Sequence, residues 1–418
     1  MCHINRPAKL AAPLHPIKHQ SERTSNPSKI NGIRYQNISF SERRTAFKVP
    51  AMSDDPAKVE ATEYGPRNCP PGFSDHSFKT DSGVELAVRI WPADPPVDKP
   101  APVVFYTHGG GWFAGNHFVP LPWMQPGFRQ RGYHMVSHNF RLGPQASYEM
   151  QLQDSMDAVS WCRANLPSIL DTDRVDVSQL ILCGESGGAL LSGLMGHYLS
   201  PPPKAVILVY GIVDPAAAWP ILAPVPENSG EAPPWVGEFS DAELEEFLKD
   251  RNESNMLMDA LWADENKTAS EQVLSRRWGT DVRFTRRIRL QAELHQWRSD
   301  IAARIGSTVR SVRLGSLHAE RFADEAALTA FLLSMSPSPL LETKTWYPPT
   351  AFLHGMDDRA SPVAQSQAMA KRLKAINVPV VESYEPNEDH VFDHKYTVSN
   401  PWSRYHAIIH SLISDVEL

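Results

Sequence analysis

Cysteine is scarce in this chain. Cys2, Cys69, Cys162 and Cys183 are scattered over 418 residues, which excludes a disulfide-stapled framework and offers no zinc-ligand spacing. Two of the four lie within strongly apolar or helical stretches, where a buried thiol is the ordinary state. Long apolar runs are missing as well: no window approaches the roughly 18 apolar residues of a membrane span, and the N-terminus lacks the apolar core of a secretory signal. No stable membrane insertion is expected, and the location read from the sequence is cytoplasmic. Nor does one sign of charge dominate. The formal net charge is -7 and the hydrophobic fraction 42%, a balance that argues against a nucleic-acid or membrane-surface role for the whole chain and allows a large core. The partners left are small molecules; composition is silent on oligomeric state.

Two segments depart from this background. The first fifty residues carry nine Lys or Arg against two acids, Glu22 and Glu42, with many Ser, Asn and Pro and little apolar periodicity. They read as a disordered extension, as an over-long gene model whose real start is Met52, or as an organellar presequence, which would move the location to an organelle. On each reading residues 1–60 stay outside the fold and residues 61–418 form the domain. The other segment is 271–321, with eleven Arg, no Lys and five acids. It reads as a variable surface insertion, an unspliced segment or a basic patch for an anionic partner.

Organised structure is first legible at His76. Residues 76–80 and 84–91 are short β-rich runs around the turn Asp81-Ser82-Gly83, which predicts an antiparallel hairpin at one edge. The apolar run 102–107 predicts a buried strand, residues 132–140 the next, and residues 147–166 carry apolar side chains at helical spacing. Residues 173–178 are polar and turn-like. Then come a buried strand over 179–183, a helix over 189–199, and core strands over 205–213, 350–354 and 378–384. Strands alternating with helices at this length predict a mostly parallel sheet covered on both faces. Between residues 215 and 338 the pattern breaks; residues 241–274 look like a charged amphipathic helical region, read as a cap or lid over the site.

The chemistry is concentrated at four places. Gly184-Glu185-Ser186-Gly187-Gly188 stands between the apolar strand 179–183 and the helix 189–199. Such a turn makes a serine project from a backbone bent so sharply that neighbouring side chains would collide, and the glycines relieve the collision. Ser186 is the candidate nucleophile. His108-Gly109-Gly110-Gly111-Trp112 ends another buried strand and offers fixed backbone amides where negative oxygen would develop. No Lys-Ser/Thr follows these glycines and no G-x-G-x-x-G opens a helix, so a phosphate cradle is disfavoured. His108 reads as a structural hydrogen-bonding residue. A serine hydroxyl needs a histidine to take its proton and a carboxylate to hold the imidazole tautomer, and where the nucleophile sits in such a strand-turn-helix on a parallel sheet the chain order is Ser, acid, His. His354-Gly355-Met356-Asp357-Asp358 and Asn387-Glu388-Asp389-His390-Val391-Phe392 follow the last two core strands. Asp358 is read as the acid, with Asp357 its rival. His390 is read as the base ahead of His394, because it lies closer to the strand end; the remaining histidines read as surface or packing residues.

At these residues the sequence resembles the hormone-sensitive-lipase-like branch of the α/β hydrolases, over roughly 100–213 and from 336 to the C-terminus. Members carry H-G-G-G upstream of G-D/E-S-x-G with an R-L-x-P element between. Here these are His108 to Gly111, Gly184 to Gly188, and Arg141-Leu142-Gly143-Pro144. Pro348-Pro349-Thr350 and His390-Val391-Phe392 are similar too. The resemblance implies an α/β-hydrolase fold, a mostly parallel central sheet flanked by helices with a cap at about 215–338. It also implies the amides of Gly110, Gly111 and Gly187 as an oxyanion hole, with Gly109 shaping the loop. Two departures stand out: Gly187 occupies a position usually held by Ala, which leaves the amide intact, and Ser186 and Asp358 lie 172 positions apart because of the insertion.

These residues together predict a serine esterase that cleaves a carboxylic ester through an acyl-Ser186 intermediate, with no metal or organic cofactor required. Trp112, Phe113, Trp123 and Trp235 point to an apolar or aromatic substrate, although such residues also build cores. Two rivals remain. One is a lyase or cyclase that uses His390 and the same amides on a biosynthetic intermediate without acylation; the other is a non-catalytic ligand receptor on the same fold, which would be expected to have lost a triad residue.

Overall fold

The computed structural model describes residues 72–113, 115–117, 123–217, 239–256, 318, 321–358 and 360–395. The chain divides into Met1–Ala51 and Met52–Leu418, and all described residues lie in the second unit. Cys2, Cys69, Trp235 and almost all of the Arg-rich stretch 271–321 lie outside the described residues.

The hairpin at the edge forms as expected, with β1 (Ser74–Lys79) antiparallel to β2 (Glu85–Trp91). β3 (Ala101–Thr107), β4 (His134–His138), β5 (Val175–Glu185), β6 (Ala205–Val209), β7 (Thr350–Gly355) and β8 (Val380–Glu385) complete one sheet in the order β1-β2-β4-β3-β5-β6-β7-β8. From β4 to β8 every neighbour is parallel. Successive side chains on a strand point to opposite faces, and the core divides accordingly. Val103 and Phe105 of β3 join one buried cluster, and Val104 and Tyr106 the other.

The first cluster is covered by α2 (Tyr148–Ile169), α3 (Gly187–Tyr198), α5 (Glu325–Ser334) and α6 (Val363–Ala375); the second is covered by α1 (Met124–Arg129) and Phe392. Ten of the twelve residues of α3 are buried, which explains an apolar composition all round its surface. Burial of Leu190, Leu191, Leu194 and Met195 stabilises the sheet–helix contact by about 1.5–3 kcal/mol per side chain. Cys162 and Cys183 are buried free thiols. Among the described residues no helix is long and apolar enough to cross a membrane.

Four elements differ from expectation. β5 starts at Val175, inside the stretch read as a turn: Val175 pairs with Ala101, the register then slips, and Val103 pairs with Leu180. The slip destroys the alternation by which a strand is recognised. β6 stops at Val209, because Tyr210 turns the chain at φ 36°. The helix α6 was not foreseen, although Met369, Ala370 and Leu373 are buried at helical spacing. In the cap, helix α4 covers only Asp241–Lys249 of the region 241–274; a capping box at Ser240 and Glu243 starts it, and a single 3-10 turn follows at Glu253–Asn255. Residues 257–274 lie outside the described residues.

Candidate active site

β5 ends at Glu185 and α3 begins at Gly187, which leaves Ser186 alone in the turn at φ 47°, ψ -119°. Only close packing can hold a residue with a side chain there. A Cβ on Gly184 would come within 2.4 Å of the Gly188 carbonyl oxygen, and one on Gly188 within 2.2 Å of the Thr107 carbonyl oxygen. Both glycines are therefore required by space. The Ser186 amide donates to the Val209 carbonyl at 2.9 Å, and its own carbonyl accepts from Ala189 at 3.1 Å.

The strand ends of β7 and β8 bring the other two candidates over this turn. Ser186 Oγ lies 2.9 Å from His390 Nε2, and His390 Nδ1 lies 2.7 Å from Asp358 Oδ2. A carboxylate has no hydrogen to give, so Nδ1 carries the ring hydrogen and Nε2 is left to accept from the serine hydroxyl. Asp358 is buried whereas Asp357 is exposed. Burial by itself would raise the Asp358 pKa. Hydrogen bonds from His354 and His390, with the backbone amide of Ser361, outweigh it and hold the carboxyl well below the usual carboxylate range. The His394 side chain lies outside the described residues.

The glycine loop is brought against the same turn. Gly109, grouped with the oxyanion-hole glycines as the one that shapes the loop, does shape it. Its amide donates to Glu185 Oε1 at 3.1 Å, so it fastens the loop to the end of β5 and does not point a free donor at a substrate. Gly110 and Gly111 take φ values of 104° and 60°, conformations natural to glycine. Beyond them the Trp112 indole donates from Nε1 to the Gly187 carbonyl at 2.9 Å. A Cβ at position 187 would lie 3.3 Å from the amide nitrogens of both Gly111 and Trp112. Glycine there lets the loop close more tightly on α3 than alanine would.

Two residues around the site, Glu185 and His354, were given no role by the sequence. Glu185 is buried and accepts from Tyr210 Oη at 3.0 Å as well as from Gly109; Tyr210 in turn sets its ring edge-on to His390, with centroids 4.8 Å apart. His354, grouped with the packing histidines, places Nε2 3.2 Å from Asp358 Oδ2; its place four residues ahead of the acid on a buried strand was the available clue. His108 is structural as expected: Nδ1 bonds the Gly109 carbonyl at 2.8 Å, the ring stacks on Phe140, and burial lowers its pKa to about 4. Of the four aromatic residues read as substrate-facing or core, the three that are described, Trp112, Phe113 and Trp123, are buried, and Trp123 Nε1 donates to Asp393 Oδ2 at 2.8 Å.

Residues 141–149 form one platform for the described part of the cap. The Arg141 guanidinium makes two bonds to Asp154 on α2, at 2.8 and 2.7 Å, and reaches Ser82 at 3.0 Å and Glu253 at 2.7 Å. Gln145 donates to Asp250, Arg251 donates to the Pro144 carbonyl, and His318 Nε2 lies 2.8 Å from that same carbonyl. Arg321 pairs with Glu149. The platform also touches the glycine loop, since the amide of Gly143 donates to the Trp112 carbonyl, which also accepts from Nε2 of Gln151 on α2. From α4, the Phe247 ring lies 6.3 Å from that of Phe113.

Comparison with known proteins agrees with this architecture. A model of the alpha/beta hydrolase fold matches residues 104–309, and a model of the prolyl oligopeptidase family matches residues 320–406. The chain is 31% identical over 118 residues to carboxylesterase NlhH of Mycobacterium tuberculosis, a match over 28% of this chain and 35% of that protein. It is 30% identical over 140 residues to the non-reducing polyketide synthase ascC of Acremonium egyptiacum, over 32% of this chain and 7% of that protein. The matched regions thus span about a third or less of these relatives. Among solved structures, an esterase of Pyrobaculum calidifontis superposes with a TM-score of 0.50 at 16% identity, over 87% of this chain and 90% of that one, a likeness of fold. With the first family model taking in Ser186, the second Asp358 and His390, and a mostly parallel eight-stranded sheet beneath them, the chain belongs to the α/β hydrolases.

Proposed function

We propose that this protein is a serine esterase in which Ser186 attacks the carbonyl carbon of a carboxylic ester. The observation that carries this reading is the hydrogen-bonded line from Ser186 Oγ through His390 to Asp358, at 2.9 and 2.7 Å. His390 Nε2 takes the hydroxyl proton as the oxygen–carbon bond forms, and Asp358 holds the ring and balances the imidazolium. The oxyanion is met by the amides of Gly110, Gly111 and Gly187. Collapse expels the alcohol, which takes the proton back from Nε2 and leaves acyl-Ser186; water then repeats the sequence and frees the acid. Two tests apply. Purified protein should cleave short-chain p-nitrophenyl esters, and Ser186→Ala should lose at least about a thousandfold in turnover. A fluorophosphonate probe should label the wild type and not Ser186→Ala. An unlabelled, inactive wild type would favour a receptor, and an active Ser186→Ala would favour a lyase that needs no acyl-enzyme.

One comparison favours a second reading of the substrate. A polyketide synthase assembles its product as a carrier-bound thioester, and a matching segment within such an enzyme supports an acyl thioester as the acyl donor to Ser186, with a thiol leaving in place of an alcohol. The same residues serve both, since the tetrahedral oxyanion and the proton transfer to His390 are alike. Turnover of an N-acetylcysteamine thioester against that of the matching oxygen ester distinguishes them.

A further inference from the structure

Asp358 meets four donors. Oδ1 accepts the amides of Ala360 at 2.9 Å and Ser361 at 2.7 Å. Oδ2 accepts His390 Nδ1 at 2.7 Å and faces Nε2 of His354 at 3.2 Å. His354 stands on β7 with no exposure at all; its Nε2 also lies 2.7 Å from the Ser361 carbonyl, and its Nδ1 lies 2.8 Å from Ser366 Oγ on α6. A carbonyl and a carboxylate oxygen both face Nε2, and neither has a hydrogen to offer. Nε2 therefore carries the one hydrogen, shared between the Ser361 carbonyl at 2.7 Å and Asp358 Oδ2 at 3.2 Å, and Nδ1 is paired with the Ser366 hydroxyl.

We propose that His354 is a positioning residue of the site, its Nε2–H holding Asp358 Oδ2 so that the carboxylate stays aimed at His390. This rests on Ser186, His390 and Asp358 being the catalytic residues. The two amides pin only Oδ1. About that anchor the carboxylate can still pivot, and a pivot lengthens the 2.7 Å bond from His390 Nδ1 to Oδ2. A donor on the far side of Oδ2, fixed in its own turn by Ser361 and Ser366, removes that freedom. The effect is on orientation of the base rather than on substrate binding, because His354 is wholly buried and its ring bonds Ser366 and the Ser361 carbonyl.

The test compares His354→Leu with His354→Gln, whose amide can place one N–H where Nε2–H stands. For an ester the wild type cleaves, His354→Leu should lower kcat by roughly 10- to 100-fold with KM within about twofold, the scale of a small misplacement of a catalytic group. His354→Gln should recover to within about fivefold of wild type. A folded His354→Leu with wild-type kcat overturns the proposal, and so does a His354→Gln as slow as His354→Leu, because the loss then follows from lost volume. Should His354→Leu fail to fold, Ser366→Ala decides: it removes the hydroxyl that orients His354 and does not touch Asp358. A several-fold drop in kcat at unchanged KM supports the proposal; wild-type kcat overturns it. A wild type without esterase activity, or an active Ser186→Ala, overturns the underlying triad reading instead, and is recognised before any His354 variant is made.

Discussion

Asp357 and Asp358 are chemically identical neighbours, and burial is what separates them. Asp357 is exposed, with its amide bonded to the Glu388 carbonyl; the Asp358 carboxylate is buried between two histidines and two amides. Asp358→Asn is expected to lower kcat/KM by about 10³–10⁴, because an amide that presents N–H to His390 Nδ1 favours the tautomer that cannot accept the serine proton. Asp357→Asn should stay within about tenfold of wild type. Kinetics of the two variants on one ester check the pair, and a severe loss at Asp357 would show that the acid had been placed one residue late. The three candidate residues were legible because each sits in a motif at a strand end, where geometry follows from local sequence. Glu185 and His354 were not, since their importance lies in partners 76 and 4 residues away that only the folded sheet supplies. Gly109 was half legible: a glycine was needed, but whether its amide faces a substrate or Glu185 depends on a residue in another strand.

At the scale of elements, Arg141 shows how little of a junction can be read in advance. The R-L-x-P element was recognised, yet nothing near it in sequence says that its guanidinium would join Ser82 in the hairpin turn, Asp154 on α2 and Glu253 beside α4. The two acids differ in worth. Asp154 is wholly buried, burial pushes its carboxyl up, and Arg141 opposes that push; Glu253 is partly exposed. Arg141→Met leaves a buried carboxylate without its cation and should destabilise the fold by about 3–5 kcal/mol. Glu253→Gln, by contrast, should cost no more than about 1 kcal/mol. Urea unfolding of both variants measures the difference, and equal effects would mean that the cap arm, not the α2 pair, dominates the junction. The central strands were legible from unbroken apolar runs. The bulged start of β5 and the early end of α4 were hidden because polar residues there bond locally, as Asn252 does to the amide of Ser254.

For the molecule as a whole, pH should act on stability through buried imidazoles. Burial lowers the pKa of His108, His117 and His197 to about 4 and that of His138 to about 3. Unfolded, each would titrate near 6.5. Between these values the unfolded chain binds more protons than the folded one, so stability is full above about pH 6.5 and falls as pH drops toward 4, by up to about 1.4 kcal/mol per pH unit for each histidine. The urea midpoint should accordingly be clearly lower at pH 5 than at pH 7; equal midpoints would mean that these rings are charged in the fold. The sheet carries one more implication, in the way β6 and β7 lie side by side although residues 210–349 separate them in the chain. That connection must close a loop whose ends the sheet already fixes, and closure entropy grows only with the logarithm of length, by about 0.6 kcal/mol for each doubling. The strands that carry Ser186, Asp358 and His390 are thus nearly indifferent to how much chain is strung between them. Substrate preference can drift by insertion and deletion in that loop while the reacting atoms keep their places.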